Sequence, residues 1–247
     1  MKERIIFPIL KILLFPIAKF RRLDKWNYLM GRVFDIKLYG KVKPNSVLST
    51  SGSANINILV DLFNDVKNIE GAVAECGVFR GATITYLSFY LHSEKIEKKI
   101  YGFDSFEGFD AKELEMEKKG GYSLHIDEED NLFKNNSIKL VEDKLKLVNA
   151  SKNIYLVKGY FENTLDQIGD ERYCFVHLDC DLYSSYNTCL NYFYSRMNFG
   201  GVILFDEYLD PVYTKCTDAI DNFLADKPEK LEQIIRNNQI RYFLKKQ

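Results

Sequence analysis

Residues 72–81 read AVAECGVFRG, a short apolar run that ends in two glycines spaced as GxxxG. The segment that follows, residues 83–92, is predicted to be helical. An apolar strand, a glycine-rich turn and a helix in this order are typical of the first unit of an open parallel sheet. The glycine spacing differs from the GxGxxG pattern of dinucleotide-binding proteins, and it therefore argues against NAD as a ligand.

The alternation of apolar runs and helical segments continues along the chain. The further predicted strands are residues 99–104, 154–158, 173–179 and 202–206, and the further predicted helices are residues 138–150, 187–197 and 215–225. Gly200-Gly201 is predicted to form a turn before the fifth strand. Two final apolar runs, residues 232–236 and 240–245, flank Asn237-Asn238, which predicts a tight hairpin. The pattern predicts an α/β fold with a mostly parallel sheet, a C-terminal β-hairpin and helices on both faces.

The composition indicates one globular domain with an N-terminal extension. The 247 residues include 34 Lys and Arg against 35 Asp and Glu, a balance that gives no electrostatic footprint for nucleic acid. The five cysteines are odd in number and form no CxxC pair, which favours reduced thiols in a cytoplasmic protein. We expect an extension at residues 1–57 and the main domain at residues 58–247, with an acidic insertion near residues 111–136.

Residues 5–20 read IIFPILKILLFPIAKF, which is strongly apolar but short for a membrane span. The run also contains Lys11 and the prolines Pro8 and Pro16. One interpretation is a segment that lies at the inner face of the membrane. The other is a broken helix that packs on the domain or on a partner subunit of a homo-oligomer. Both interpretations stay open.

A ligand of an open parallel sheet binds at the carboxyl ends of the strands, where the strand order reverses. Glu75 and the two glycines follow the first strand, and Asp104-Ser105 follows the second. A carboxylate at the second position can accept hydrogen bonds from two ribose hydroxyls, although it can also be a helix N-cap without a ligand. Tyr160-Phe161 follows the third strand and could pack on an adenine ring or in the core.

Acidic residues follow the fourth and fifth strands, in HLDCDLYSS at residues 177–185 and FDEY at residues 205–208. Asp179, Asp206 and Glu207 should converge there. Buried carboxylates without partners are costly and repel one another, so a bound cation is expected between them. Ligands that are all oxygen favour a hard ion such as magnesium, with manganese or calcium as alternatives.

His177 lies on the same face of the fourth strand as Asp179, because side chains alternate along a strand. It could contact the acidic site. A lone histidine is, however, more often a structural residue, and we favour that interpretation.

Residues 71–223, taken together, resemble the macrocin O-methyltransferase family, which methylates sugar hydroxyls in antibiotic and polysaccharide pathways. The resemblance rests on the order and spacing of GAVAECGVFRG, FDSFEG, KGYFENTL, HLDCDLYSS, the Gly200-Gly201 turn, FDEY and CTDAIDNF. The 27-residue interval from Asp179 to Asp206 agrees with the spacing of the metal-binding acids in that family. The resemblance implies the class I methyltransferase fold, S-adenosylmethionine as the donor and a divalent metal, magnesium or manganese.

The resemblance also implies roles for ten residues. Glu75, Gly77 and Gly81 would hold the methionine end of the donor, Asp104 and Ser105 its ribose side, Tyr160 and Phe161 its adenine, and Asp179, Asp206 and Glu207 the metal. Asp179 could also accept the proton of the acceptor hydroxyl. The family usually has two aspartates where this chain has Asp206-Glu207, so the extra methylene of Glu207 leaves the choice of metal open.

The identity of the acceptor does not follow from the resemblance. A sugar that is free, nucleotide-linked or part of a glycan is expected, and residues 1–57 would close over it. A metal-dependent methyltransferase of catechols or other phenols is the closest alternative, because the vicinal oxygens of a catechol can chelate the same metal. A binding protein on a methyltransferase fold is a further alternative, which the acids at the predicted strand ends disfavour.

Overall fold

The computed structural model describes residues 53–120, 133, 136–147, 152–236 and 238–247. The predicted membrane or subunit contact of residues 5–20 lies outside these ranges, as do residues 1–52 of the predicted extension. Within the described ranges, no helix combines the length and hydrophobicity needed to cross a bilayer.

Seven strands and seven α-helices are defined by the described residues. The strands are β1 (Ala72–Cys76), β2 (Ile100–Asp104), β3 (Ile154–Lys158), β4 (Tyr173–Leu178), β5 (Met197–Phe205), β6 (Leu231–Arg236) and β7 (Gln239–Lys245). The helices are α1 (Ser53–Val66), α2 (Ala82–Ser93), α3 (Ala111–Gly120), α4 (Ile138–Leu147), α5 (Phe161–Thr164), α6 (Tyr183–Phe193) and α7 (Thr214–Leu224). The 3₁₀ turns Leu165–Ile168 and Tyr194–Arg196 follow α5 and α6 directly.

The strands form one sheet in the order β3-β2-β1-β4-β5-β7-β6. The first five strands are parallel, whereas β7 runs antiparallel to both β5 and β6. The strand order reverses between β1 and β4, where Glu75 pairs with His177 and Cys76 pairs with Leu178. The predicted class I methyltransferase fold with its C-terminal hairpin is therefore confirmed, and β1 and β4 mark the expected ligand position.

Apolar side chains cover both faces of the sheet, so the prediction of helices on both faces is confirmed. On one face, residues of α1, α2 and α4 pack on the sheet, with Phe63 in edge-to-face contact with Phe175 at 5.9 Å between ring centroids. On the other face, residues of α6 and α7 pack on it, with Phe193 against Tyr173 at 4.9 Å. Burying each of these large side chains contributes roughly 2–3 kcal/mol.

The predicted turn at Gly200-Gly201 is wrong, because both glycines lie within β5. Tyr173 pairs with Met197, whereas Phe175 pairs with Val202, so β5 carries extra residues in a bulge opposite β4. Gly200 takes a positive φ of 79° at this irregularity. The glycines therefore bend the strand instead of preceding it.

Two other boundaries can be compared with the sequence. Helix α6 begins at Tyr183, four residues before the predicted start at residue 187, and it ends at Phe193. The predicted hairpin is confirmed, because Arg236 pairs with Gln239 across the turn. Asn238 has a positive φ of 65°, as such turns require.

The predicted acidic insertion contains the helix α3, although its sequence shows no clear periodicity. Asp110 caps this helix, because its Oδ1 accepts hydrogen bonds from the backbone N–H groups of Lys112 and Glu113. Glu117 is buried, and its Oε1 lies 3.3 Å from the backbone nitrogen of Ser184 in α6. Tertiary contacts therefore help to define α3. Residues 121–132, 134–135 and 148–150 of the predicted insertion and helix lie outside the described residues.

The predicted domain boundary at residue 57 falls inside α1. Ile56, Ile58 and Leu59 of this helix are buried in the core. The folded domain therefore includes residues on both sides of that boundary.

Candidate active site

A cleft of about 330 Å³ opens at the carboxyl ends of the parallel strands. Eight of the ten predicted site residues line it: Gly77, Asp104, Ser105, Tyr160, Phe161, Asp179, Asp206 and Glu207. Nine of its lining side chains in the described part of the chain are carboxylates, and none is Lys, Arg or His. The cleft therefore suits ligands that carry positive charge or none.

The turn after β1 brings the ends of β1 and β4 into close contact. Gly77 has a φ of 92°, and a Cβ atom at this position would lie 1.7 Å from the carbonyl oxygen of Asp179. The backbone nitrogen of Asp179 donates to the carbonyl of Cys76 at 2.9 Å. Only glycine fits here, so Gly77 places the predicted donor turn directly beside Asp179.

Gly81 has a different place in the structure. It is the N-cap of α2, with a φ of 72°, and a Cβ atom there would lie 2.6 Å from Val141. It does not line the cleft. A glycine is therefore required at this position by the backbone conformation at the start of α2 and by the close packing of α4.

Asp104 connects the turns after β1 and β2. Its Oδ2 accepts a hydrogen bond from the backbone nitrogen of Phe79 at 2.7 Å, and its Oδ1 accepts one from Phe106 at 2.6 Å. Burial raises the pKa of Asp104, and these hydrogen bonds partly offset that rise. Each carboxylate oxygen has a second lone pair, so Asp104 can still accept hydrogen bonds from a ligand in the cleft.

Aromatic side chains border the same end of the cleft. Tyr160 and Phe161 lie at the start of α5, as predicted from the third strand. Phe133 packs between Phe79 and Phe109, at 5.3 and 5.0 Å between ring centroids. Sequence reasoning missed this second aromatic group, because its three members come from separate segments.

Glu75 and His177 lie behind the cleft and do not line it. Glu75 Oε1 is 3.3 Å from His177 Nδ1, and His177 Nε2 is 3.7 Å from Asp206 Oδ1. Burial lowers the pKa of His177, but Asp206 and Glu75 outweigh it and raise that pKa to about 10. His177 is therefore a charged bridge between two carboxylates. Glu75 Oε2 is buried and has no hydrogen-bond partner among the described residues.

Asp206 is the acid of the site that has cationic partners. Its Oδ1 lies 3.0 Å from Arg241 Nε, and its Oδ2 lies 3.4 Å from Arg241 Nη2. Burial raises the pKa of Asp206, but His177 and Arg241 outweigh it and lower that pKa below its usual value. Asp206 is thus an ion-paired carboxylate at the edge of the acidic cluster.

Three other acids form the closest group. Asp179, Asp181 and Glu207 each place a carboxylate oxygen within 4.8 Å of those of the other two. The predicted trio shares Asp179 and Glu207 with this group but has Asp206 in place of Asp181. Asp181 has a positive φ of 63° and lies in the turn between β4 and α6. The Asp-x-Asp spacing in HLDCDLYSS is the sequence signal that could have identified it.

Burial and the crowding of like charges both act on this group, which we term the acid trio (Asp179, Asp181 and Glu207). Burial and the negative charge of Asp206 raise the pKa of Asp179 to about 7. Burial and neighbouring carboxylates likewise hold the pKa values of Asp181 and Glu207 well above their usual range. Oxygen ligands at these separations, with repulsion that a cation would relieve, fit a hard divalent ion.

The sequence matches the family described as Macrocin-O-methyltransferase (TylF) over residues 23–241. A relative from Streptomyces olivaceus, 8-demethyl-8-(2,3-dimethoxy-alpha-L-rhamnosyl)-tetracenomycin-C 4'-O-methyltransferase, is 27% identical over 76% of this chain and 72% of its own. Demethyldecarbamoylnovobiocin O-methyltransferase from Streptomyces niveus is 23% identical over 77% of this chain and 73% of its own.

A solved structure supports the same fold. The O-methyltransferase NovP superposes with a TM-score of 0.66, covering 98% of each chain at 18% sequence identity. At this identity the superposition bears on the fold alone, and it agrees with the sheet order described above.

Proposed function

This chain belongs to the macrocin O-methyltransferase family, and from that premise we propose that it transfers a methyl group from S-adenosylmethionine to a sugar hydroxyl with the help of a divalent cation. The observation that carries the proposal is the position of Asp179. Its backbone touches the Gly77 turn, and its carboxylate belongs to the acid trio. A donor on that turn and a cation in the trio would therefore lie on either side of one residue.

The donor would occupy the end of the cleft that Gly77, Asp104 and Tyr160 line. The backbone at Gly77 would face the methionine end, and Asp104 with Ser105 would hold the ribose side. Tyr160 and Phe161 would border the adenine ring. A donor with a sulfonium and an ammonium group suits a cleft lined by carboxylates.

Two predicted donor ligands would act from behind the cleft. Glu75 has a buried Oε2 without a partner among the described side chains, which supports a role in holding the amino group of the donor. Gly81 would act indirectly, because it starts the helix that follows the donor turn.

The acid trio would hold the cation, with Asp206 beside it. When bound, a divalent cation lowers the pKa of an acceptor hydroxyl and fixes neighbouring oxygens of the acceptor. Asp179 would accept the proton of that hydroxyl, because its carboxylate lies in the acid trio and its backbone lies beside the Gly77 turn. A cleft closed to water during the reaction would favour a step in which charge is lost.

The acceptor is proposed to be a sugar that presents no phosphate to the described part of the cleft. The carboxylate lining, without a basic side chain in the ranges described, would repel a phosphate near the reacting hydroxyl. The relative from S. olivaceus is named for a rhamnosyl substrate, which supports a sugar on a larger molecule. A cytoplasmic location, a homo-oligomer and membrane contact through residues 5–20 are proposed on the sequence alone.

The test is a panel of neutral glycosides, nucleotide sugars and catechols, assayed for release of S-adenosylhomocysteine with and without Mg²⁺. We expect turnover with a glycoside and Mg²⁺. Turnover only with a catechol would indicate that the acceptor is a phenol and not a sugar. Turnover only with a nucleotide sugar would contradict the proposal that the carboxylate lining repels a phosphate.

Asp179→Asn tests the proposed base in the same assay. We expect loss of turnover by about 10³-fold or more, because both the proton acceptor and a charged ligand are removed. Binding of S-adenosylhomocysteine, measured by calorimetry, should be retained. Asp226→Asn, at an exposed carboxylate away from the cleft, is the control and should have the activity of the unchanged protein. Activity of Asp179→Asn near that level would remove Asp179 from the mechanism.

A further inference from the structure

The hydroxyl group of Tyr186 contacts Glu207, and we propose that Tyr186 is the positioning residue that makes this glutamate a metal ligand. The hydroxyl of Tyr186 donates to Glu207 Oε2 at 2.5 Å, and it accepts a longer hydrogen bond from the backbone nitrogen of Glu207 at 3.4 Å. Tyr186 therefore contacts both the backbone and the carboxylate of the same residue. The inference rests on the proposed function, because it assumes that the acid trio binds a cation.

Tyr186 has the rigidity that a positioning residue needs. Its side chain is fully buried in α6, and its ring packs against Phe205 at 6.4 Å between centroids. The hydroxyl also lies 2.9 Å from the carbonyl oxygen of Leu178, at the end of β4. Its single proton can go to only one of these acceptors, and the shorter contact to a carboxylate is the stronger one.

Glu207 needs such a contact because it has no ion pair with a cationic side chain among the described residues. It is buried and faces Asp179 and Asp181, which repel it. Neither Arg241 nor His177 forms an ion pair with it among the contacts of the described residues, since both contact Asp206. A glutamate also has one more rotatable bond than an aspartate, so its carboxylate is harder to keep in one place. Tyr186 would hold it beside the other two acids before the cation arrives.

The role of Tyr186 is indirect, because it does not line the cleft. Tyr186→Phe should therefore leave the donor site unchanged and weaken the metal site. Loss of a hydrogen bond to a metal ligand typically weakens metal binding by about 10- to 100-fold.

The chain offers a matched control in Tyr194. Its hydroxyl donates to the buried carboxylate of Glu229, and neither residue lines the cleft. Tyr194→Phe removes a hydrogen bond of the same kind, between a tyrosine and a buried glutamate. A general loss of stability would affect both variants, whereas a positioning effect on the metal would appear only in Tyr186→Phe.

The experiment measures binding of Mn²⁺ and Mg²⁺ to the full chain by titration calorimetry, without donor or acceptor. We expect about 10- to 100-fold weaker binding to Tyr186→Phe and unchanged binding to Tyr194→Phe. Binding of S-adenosylhomocysteine should be the same in all three proteins. Metal binding by Tyr186→Phe that equals the unchanged protein would overturn the inference and leave the proposed function standing. Absence of metal binding by the unchanged protein would refute the metal site and the inference together.

A second measurement does not depend on the folding of Tyr186→Phe. A cation at Glu207 would withdraw charge from the carboxylate that accepts the Tyr186 hydroxyl. Addition of Mg²⁺ to the unchanged protein should therefore perturb the near-ultraviolet absorbance of tyrosine, and the same difference spectrum should appear in Tyr194→Phe. Metal binding without any such change would contradict a hydrogen bond between Tyr186 and a metal ligand.

Discussion

Two buried glutamates accept a hydrogen bond from a tyrosine, yet their surroundings are opposite. Glu229 accepts from Tyr194, and Lys246 Nζ lies 2.5 Å from its Oε1. Glu207 accepts from Tyr186 but faces other carboxylates. Burial raises the pKa of both acids. At Glu229, the contacts with Lys246 and Tyr194 outweigh burial and lower the pKa to about 2. At Glu207, the neighbouring acids raise the pKa further.

The difference indicates what each pair is for. Around Glu229 the charges balance within the chain, so the pair stabilises the fold without a ligand. Around Glu207 the described residues supply a hydrogen bond but no cation in direct contact, so its burial destabilises the fold, and a bound cation would relieve this. The same contrast appears within the cleft, where Asp206 has ion pairs with Arg241 and His177, whereas the acid trio has no ion pair among the described residues.

The largest expected effect is a difference between Glu207 and Glu229 in how much a metal ion stabilises the protein when each is substituted. Mg²⁺ at about 100 times its dissociation constant should raise the free energy of unfolding by about 2.7 kcal/mol. Glu207→Gln should lose nearly all of this increment, and its unfolding free energy without metal should be no lower than that of the unchanged protein. Glu229→Gln should retain the increment. Denaturant titrations with and without Mg²⁺ measure both, and equal increments in the two variants would remove the distinction.

The next effect concerns acid. Since the pKa of Glu229 is lowered in the fold, its charge stabilises the protein above the unfolded pKa of about 4.5, and this stabilisation is lost as the pH falls towards 2. Glu229→Gln should lower the free energy of unfolding by about 2 kcal/mol at pH 7. The difference in unfolding free energy between the two proteins should narrow as denaturant titrations move from pH 5 to pH 3. A gap that is constant with pH would show that the charge of Glu229 is not the cause.

The smallest effect tests the paired acid of the cleft. Arg241→Gln removes one partner of Asp206 and leaves His177, so we expect a loss of about 1 kcal/mol without metal. Arg236→Gln is the control, because its ion pair with Asp61 is exposed and should contribute less. Thermal or denaturant unfolding measures both. An effect of Arg241→Gln no larger than that of Arg236→Gln would mean that His177 alone balances Asp206.

The sequence alone predicts the parallel sheet and the edge of the sheet at which the cleft lies. Strand β3 has the predicted bounds, because short apolar runs between turn residues can be recognised locally. Asp104 and Asp179 lie at the cleft for a general reason, since residues after parallel strands meet at one edge.

The remainder depends on contacts between distant segments. The partner of Asp206 is Arg241, which reaches it only because β7 pairs with β5 in a register that aligns Phe205 with Tyr242. The place of Asp181 in the acid trio depends on a left-handed turn residue. Helix α3 lacks a periodic sequence and is held by Glu117 against α6. None of these features leaves a local signal of the kind that predicts a strand.

The C-terminal hairpin has a consequence for the order of folding. Strand β7 inserts between β5 and β6, and it brings Arg241 to Asp206. During synthesis, the acids of the cleft leave the ribosome before this arginine does. The nascent sheet must therefore accumulate its negative charges first and receive this counter-charge when the hairpin docks. A mutation that delays docking of the hairpin would thus expose a partly folded cleft, with its negative charges uncompensated, to chaperones and proteases. This would hold even where the mutation changes no residue of the cleft.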